Sequence, residues 1–356
     1  MFPLRRICAL LLFTACTGRG DQSLKSDLIT VVENKKEVVC FVYHRFGDGR
    51  YPSTNIQLAD FEAQLSFLKK NAYTVLTFSE AIDYMKSDAP ASRVAVLTID
   101  DGFKSFYKKA LPLLTKYGFP ATLFINTETV GGSDYMEWNN IKDARRQGIE
   151  IGNHTHSHDY FLNLPDSIRY AKFENELQLT QELIQQNTGQ KPSTFAYPYG
   201  ELDPKMRDIV QKTGFKGAAA QNSGVIYNGT DLWQCPRFPM SENYASLDKF
   251  TMKVATKALR ITTKTPQSFM LPNGEDRPKL ELSFESSELN MDQLQCFVQG
   301  SECEMIKNTD NDGVVTLSIR ASQSIAYRRR TLYTITVPDK QGNWHWFSHL
   351  WINTKN

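Results

Sequence analysis

The sequence predicts an α/β fold built on a parallel sheet and followed by a small all-β domain. Three observations carry this. The run Ser92-Arg93-Val94-Ala95-Val96-Leu97-Thr98-Ile99 is rich in β-branched and apolar residues and closes on Asp100-Asp101-Gly102, the pattern of a buried parallel strand ending at a turn. From residue 38 to about 262, strand and helix signals alternate, as layered α/β architecture requires. Beyond that point only strands are signalled, with apolar and polar residues in alternation.

Taken in order, Met1 to Cys16 carries Arg5 and Arg6, an apolar run from Ile7 to Phe13, and Thr14-Ala15-Cys16, which together read as an export signal. Phe13-Thr14-Ala15-Cys16 also resembles a bacterial lipobox that would lipidate Cys16 and tether the protein to a membrane. Its Phe replaces the usual Leu, so release to the periplasm or secretion stays open. The apolar run is too short to span a bilayer. Residues 17–37 are polar and read as a tether. Val38 to His44 forms an apolar strand ending in histidine. Leu58 to Lys70 and Lys108 to Tyr117 have helical apolar spacing, the second stopped by Gly118 ahead of a strand from Pro120 to Ile125. Trp138 opens a helix and is expected to pack rather than line a groove. Asn175 to Asn187 is an amphipathic helix ahead of a strand at Phe195. The expected domains are therefore 38–262 and 263–356. The second contains strands at Lys279 to Phe284, Gly313 to Arg320 and Thr331 to Val337, with a turn at Asp310-Asn311-Asp312-Gly313, and is Ig-like by pattern. Trp344, Trp346 and Trp351 are expected to be packing residues, with sugar stacking as the alternative.

The chemistry concentrates in Asp100-Asp101 and in His154-Thr155-His156-Ser157-His158. Adjacent strand residues point to opposite faces, so the two aspartates have different tasks: one ligates a metal while the other stays free. His154 and His158 chelate one ion from a helical face or from a tight loop. Two imidazoles and a carboxylate make an open site for a borderline divalent metal, Zn first, with Co, Ni or Fe also compatible. His156, between the ligands, is read as supporting or structural.

Thr98-Ile99-Asp100-Asp101-Gly102, His154-Thr155-x-x-His158 and Phe195-Ala196-Tyr197-Pro198-Tyr199-Gly200 resemble the successive motifs of the polysaccharide deacetylase family, carbohydrate esterase family 4, over residues 38 to 245. The resemblance implies a distorted (β/α) barrel that removes N-acetyl groups from N-acetylglucosamine in a polymer. It assigns Asp100 as base, Asp101, His154 and His158 as metal ligands, and the Tyr199 backbone N–H as oxyanion donor. Two departures stand out. Ala196 occupies the place of a family Arg that orients the base, and Arg237 in Gln234-Cys235-Pro236-Arg237-Phe238 is the candidate replacement. The late family His is also missing. His44, at the end of the first strand, resembles the catalytic His of a permuted branch that includes poly-N-acetylglucosamine deacetylases, and is assigned as general acid.

Net charge is +2, from 41 Lys and Arg against 39 Asp and Glu, with no basic block, so nucleic acid is excluded as a partner and a glycan is compatible. Cys296 and Cys303 could close a hairpin disulfide in an oxidising compartment, and Cys40 is expected to be buried. No Gly-x-Ser-x-Gly elbow suggests a serine esterase. Three readings remain: a metal-dependent N-deacetylase acting on peptidoglycan first or poly-N-acetylglucosamine second, a glycan-binding protein on an impaired deacetylase fold, and the same site acting on an ester.

Overall fold

In the computed structural model the described residues are 35–355; the export signal, Cys16 and all but the last residues of the tether lie outside them. The chain runs β1 (Glu37–Tyr43), α1 (Leu58–Lys70), β2 (Thr74–Leu76), α2 (Phe78–Lys86), β3 (Val94–Ile99), α3 (Leu111–Tyr117), β4 (Ala121–Ile125), α4 (Trp138–Arg146), β5 (Ile149–Asn153), α5 (Asp166–Thr188), β6 (Thr194–Ala196), α6 (Pro204–Lys212), β7 (Gly217–Ala219), β8 (Val225–Tyr227), β9 (Phe238–Pro239) and α7 (Leu247–Val254). Their strands form one curled sheet in the order β8-β1-β3-β4-β5-β6-β7, parallel throughout except for β8. Every residue of β3 and β4 is buried, as expected for strands covered on both faces.

The two ends of the sheet are bridged by one short segment. Cys235 pairs in parallel with Ala219 at the edge of β7, and three residues later Phe238 pairs in parallel with Phe41 of β1. The sheet is thereby curled into a partial barrel whose strand C-termini face one end. Gly152 is required within it: a Cβ there would stand 2.3 Å from Phe124 Cδ1, so only glycine lets β5 lie against β4 at this point.

Local signals explain the helices. Thr77 and Glu80 form a reciprocal capping box on α2. Gly118, at φ +69°, ends α3 in the left-handed conformation. Helix α5 starts nine residues before the expected Asn175; its first turns pack Tyr170 and the fully buried Phe173 on the core and are also held by Arg169, which donates to the carbonyls of Phe161, Leu162 and Leu164. Trp138 packs against the main core at the start of α4.

The remaining strands are β10 (Lys257–Ala258), β11 (Thr263–Thr265), β12 (Leu280–Glu285), β13 (Gln295–Val298), β14 (Cys303–Thr309), β15 (Val314–Ala321), β16 (Arg330–Pro338) and β17 (Trp344–Ile352). They form two four-stranded sheets, β10-β17-β16-β13 and β11-β12-β15-β14. Alternation along β17 decides which core each side chain enters: Trp351 joins the core between the two sheets, while Leu350 and Ile352 join the cluster that includes Phe195 and Tyr197 of the curled sheet. Trp346 meets Phe238 edge-on at 5.3 Å. Packing thus accounts for Trp346 and Trp351. Cys296 and Cys303 are disulfide-bonded, and Cys40 and Cys235 are free and buried.

His349 of β17 is fully buried between Phe269 and Trp351, and neither ring nitrogen has a hydrogen-bond partner. Burial, reinforced by the Lys264 charge, holds it well below the usual histidine range. The folded state therefore keeps it neutral while the unfolded chain protonates it below about pH 6.5. Stability is unaffected above that pH and falls as pH drops below it. The melting temperature should decline between pH 7.5 and 5, and His349→Leu should flatten part of that decline. An unchanged slope would contradict the assignment.

Candidate metal centre

Asp100 and Asp101 follow β3 directly. The Asp100 N–H donates to the Tyr43 carbonyl at 2.9 Å, extending the β1–β3 ladder by one step and bringing Asp100 beside the end of β1. Its carboxylate is fully buried and meets Arg237, also fully buried, in a two-pronged pair: Nη1 donates to Oδ1 at 2.8 Å and Nη2 to Oδ2 at 2.9 Å. Arg237 Nε donates to the Ala220 carbonyl and Nη1 also to Thr98 Oγ1. Because Arg237 sits in the segment that bridges the sheet's ends, closure of the sheet and neutralisation of Asp100 are the same event. Burial pushes the Asp100 carboxyl up, but the Arg237 and His154 charges and the Arg237 hydrogen bonds outweigh it and hold the group below its usual range.

Asp101 turns away from Asp100 because its backbone is left-handed, φ +74°, followed by Gly102 at the same angle. Its Oδ1 stands 3.5 Å from His154 Nε2 and 3.4 Å from His158 Nε2, and the two Nε2 atoms are 3.2 Å apart. These three donors converge on one point, as a tetrahedral site with an open position needs. His154 Nδ1 lies 2.7 Å from the Ala196 carbonyl, which fixes the tautomer that leaves Nε2 free to ligate. Burial and the charge of neighbouring His154 lower His158 to about 4; burial pulls His154 down as well, but the Asp101 hydrogen bond and the Asp100 and Asp101 charges outweigh it and raise that group, so a bound cation would take the place of the proton on His154 Nε2. The donor set therefore fits a divalent metal.

The histidines lie on a tight loop, not a helix. Asn153 accepts from the Thr155 N–H, Thr155 Oγ1 accepts from the His158 N–H, and the buried Glu176 carboxylate of α5 accepts from the N–H groups of His156 and Ser157. Of five non-glycine residues with positive φ among those described, four stand here: Asp101, Thr155, His158 and Tyr199. Each costs on the order of 1–3 kcal/mol, a strain that surrounding hydrogen bonds must hold in place.

Tyr199 follows β6 at φ +58° with its ring against His158 and stacked on Tyr160 at 3.7 Å. Its carbonyl accepts from Arg330 Nη1 at the start of β16, and neighbouring Arg329 clasps Glu201 through Nε and Nη2. The C-terminal sheets thus hold the turn that carries Tyr199. His44, half-buried just past β1, is an electrostatic neighbour of Asp100, Asp101 and His158. His156 stands apart from the ligand cluster, with Nδ1 2.9 Å from Thr127 Oγ1. Sequence reading did not find Arg329, Arg330, Tyr160 or Glu201; the run Tyr327-Arg328-Arg329-Arg330 was the available signal. Removing Arg237 leaves a buried carboxylate uncompensated, so Arg237→Ala should cost about 3–5 kcal/mol in urea unfolding, whereas Asp100→Leu with Arg237→Met should cost much less than the two single changes summed. A single-variant cost under 1 kcal/mol would contradict the pairing.

Residues 87–218 match the family model described as polysaccharide deacetylase. That stretch contains Asp100, Asp101, His154, His158 and Tyr199 and stops short of His44 and Arg237. A poly-beta-1,6-N-acetyl-D-glucosamine N-deacetylase of Staphylococcus aureus (strain N315) is similar at 27% identity over 214 residues, 57% of this chain and 73% of that protein. Among solved structures, IcaB from Ammonifex degensii superposes with a TM-score of 0.54 at 26% identity over 62% of this chain and 96% of its own. The Streptococcus pyogenes deacetylase PplD, at 19% identity and a TM-score of 0.57, covers 62% of this chain and 99% of its own and shares the fold. The part of the chain that carries the Asp100 and Asp101 site thus matches the polysaccharide deacetylase model and is similar to these deacetylases.

Proposed function

We propose that this chain is a metal-dependent hydrolase that removes N-acetyl groups from N-acetylglucosamine in a cell-envelope glycan. The observation that carries the proposal is the convergence of Asp101, His154 and His158 beside a separate, ionised Asp100 locked to Arg237. Asp101, His154 and His158 would hold the ion, which when bound supplies Lewis-acid polarisation and lowers the pKa of water from 15.7 toward about 7.

The chain's own residues divide the proton work. Asp100 is the base: Arg237 occupies one direction on each oxygen, and the remaining lone pairs are free to take a proton from the attacking water. The Tyr199 backbone N–H stabilises the oxyanion of the tetrahedral intermediate; the left-handed conformation of Tyr199 sets the direction of that N–H, and Arg330 holds the carbonyl on the residue's other side. His44 protonates the departing amine, the role suited to an imidazole, and acetate is released. No covalent enzyme intermediate is needed.

The named relatives favour poly-β-1,6-N-acetylglucosamine as the polymer; the export signal and appended β sheets suit peptidoglycan equally. The proposal places the enzyme outside the cytoplasm, tethered through Cys16 or released. Metal-loaded protein should release acetate from β-1,6 N-acetylglucosamine oligomers or from peptidoglycan, faster than from acetylated xylan. Asp100→Asn should lower turnover by about 10²–10⁴-fold, the usual contribution of a positioned base. Acetate release that survives this substitution, or that prefers the xylan ester, would refute the reading.

A further inference from the structure

A groove of about 910 Å³ lies between the curled sheet and the C-terminal sheets, and it shares a wall with the Tyr199 turn: Arg330 lines it, as does Gln221, which packs against Gly200 so closely that a Cβ there would stand 2.4 Å from Gln221 Cβ. Lys249, Lys253, Arg328, Arg329 and Arg330 line it, and no Asp or Glu does. Arg329 and Arg330 are engaged with Glu201 from behind. The other three cations meet no carboxylate among the described residues. Lys253 is 6% exposed, yet its ammonium has only the Pro239 carbonyl at 3.5 Å and the rings of Tyr244 and Phe238. Arg328 Nε is buried with no hydrogen-bond partner. Lys249, one turn before Lys253 on α7, bonds only the Asn243 carbonyl. Of these three, Lys253 is buried, Arg328 half-buried and Lys249 exposed; a buried cation without a counter-charge is costly, and an anion in the groove would relieve that cost. The same walls expose Tyr244, Phe297 and Tyr327, flat surfaces on which sugar rings stack.

We propose that this groove binds an anionic glycan segment, bearing carboxylate or phosphate groups, adjoining the sugar at the metal site; this rests on the deacetylase reading for the identity of the ligand as a glycan. A deacetylated stretch carries ammonium groups, which Lys249, Lys253 and Arg328 repel, so the groove also disfavours the product over the acetylated strand.

Binding to glycans that carry no acetamide tests the groove independently of catalysis. Calorimetric titration of the full-length, metal-loaded protein would use oligogalacturonate for carboxylate, glycerol-phosphate teichoic acid for phosphate, and cellohexaose as the neutral control. At least one anionic glycan should bind about tenfold more tightly than cellohexaose, and that advantage should shrink severalfold between 50 and 300 mM NaCl as the charges are screened. The responding arm names the anionic group. K249Q/R328Q, checked for an unchanged melting temperature, should lose most of the advantage; if it does not fold, the salt dependence of the unsubstituted protein carries the test. Equal affinity for anionic and neutral glycans, or an advantage indifferent to salt and to the substitutions, would overturn the proposal. Absence of acetate release from N-acetylglucosamine oligomers would instead refute the deacetylase reading.

Discussion

The Asp100–Arg237 pair is the constraint on which the rest depends. Both side chains are fully buried, and either charge alone in that interior would be strongly destabilising. The pair therefore forms only if β3 delivers Asp100 and the segment from Cys235 to Pro239 delivers Arg237 to the same point. Since that segment also bridges β7 and β1, the curled sheet cannot settle into its native register without assembling the ionised carboxylate at its C-terminal end. Folding and the placing of an ionised carboxylate beside the candidate metal point are one structural event.

Around that pair the backbone is repeatedly forced into left-handed turns, at Asp101, Thr155, His158 and Tyr199. Each turn redirects a side chain or a peptide toward a common centre, and each is held from behind: Glu176 grips the histidine loop, Thr155 caps His158, and Arg330 holds the Tyr199 carbonyl. The last of these gives the C-terminal sheets a part in the site. Their inner sheet packs on both sides where β16 and β17 meet, Tyr333 and Trp351 against the partner sheet and Leu332, Leu350 and Ile352 against the cluster around Phe195 and Tyr197, which anchors the strand that Arg329 and Arg330 lead into.

Much of this was legible in residue types and order. The strand ending at Ile99, the divergence of the Asp100 and Asp101 side chains, and the meeting of His154 with His158 follow from side-chain alternation and ligand spacing, and Arg237 was the candidate for the charge missing at Ala196. Other features were hidden for physical reasons. Whether His154 and His158 ligate from a helix or a loop depended on the φ of Thr155 and His158, which local spacing does not encode. The bridging role of Cys235 to Pro239 is a pairing with strands far away in sequence, and the segment is too short to carry a strand signal. Arg329 and Arg330 reach the site across about 130 residues of chain. Helix α5 begins nine residues ahead of the stretch recognised in the sequence, its first turns secured by Phe173 and by Arg169 bonds to carbonyls of the preceding loop, contacts with no local signal.

The central claim is that Asp101, His154 and His158 form one metal-binding point beside a separate base. Anomalous scattering from crystals of the zinc-loaded protein, recorded on both sides of the zinc edge, tests it most directly. The account predicts a single strong peak within about 2.0–2.2 Å of Asp101 Oδ, His154 Nε2 and His158 Nε2, with Asp100 still paired to Arg237 and outside ligating distance. No peak at that point in zinc-loaded crystals, or a peak ligated by Asp100 in place of Asp101, would contradict it.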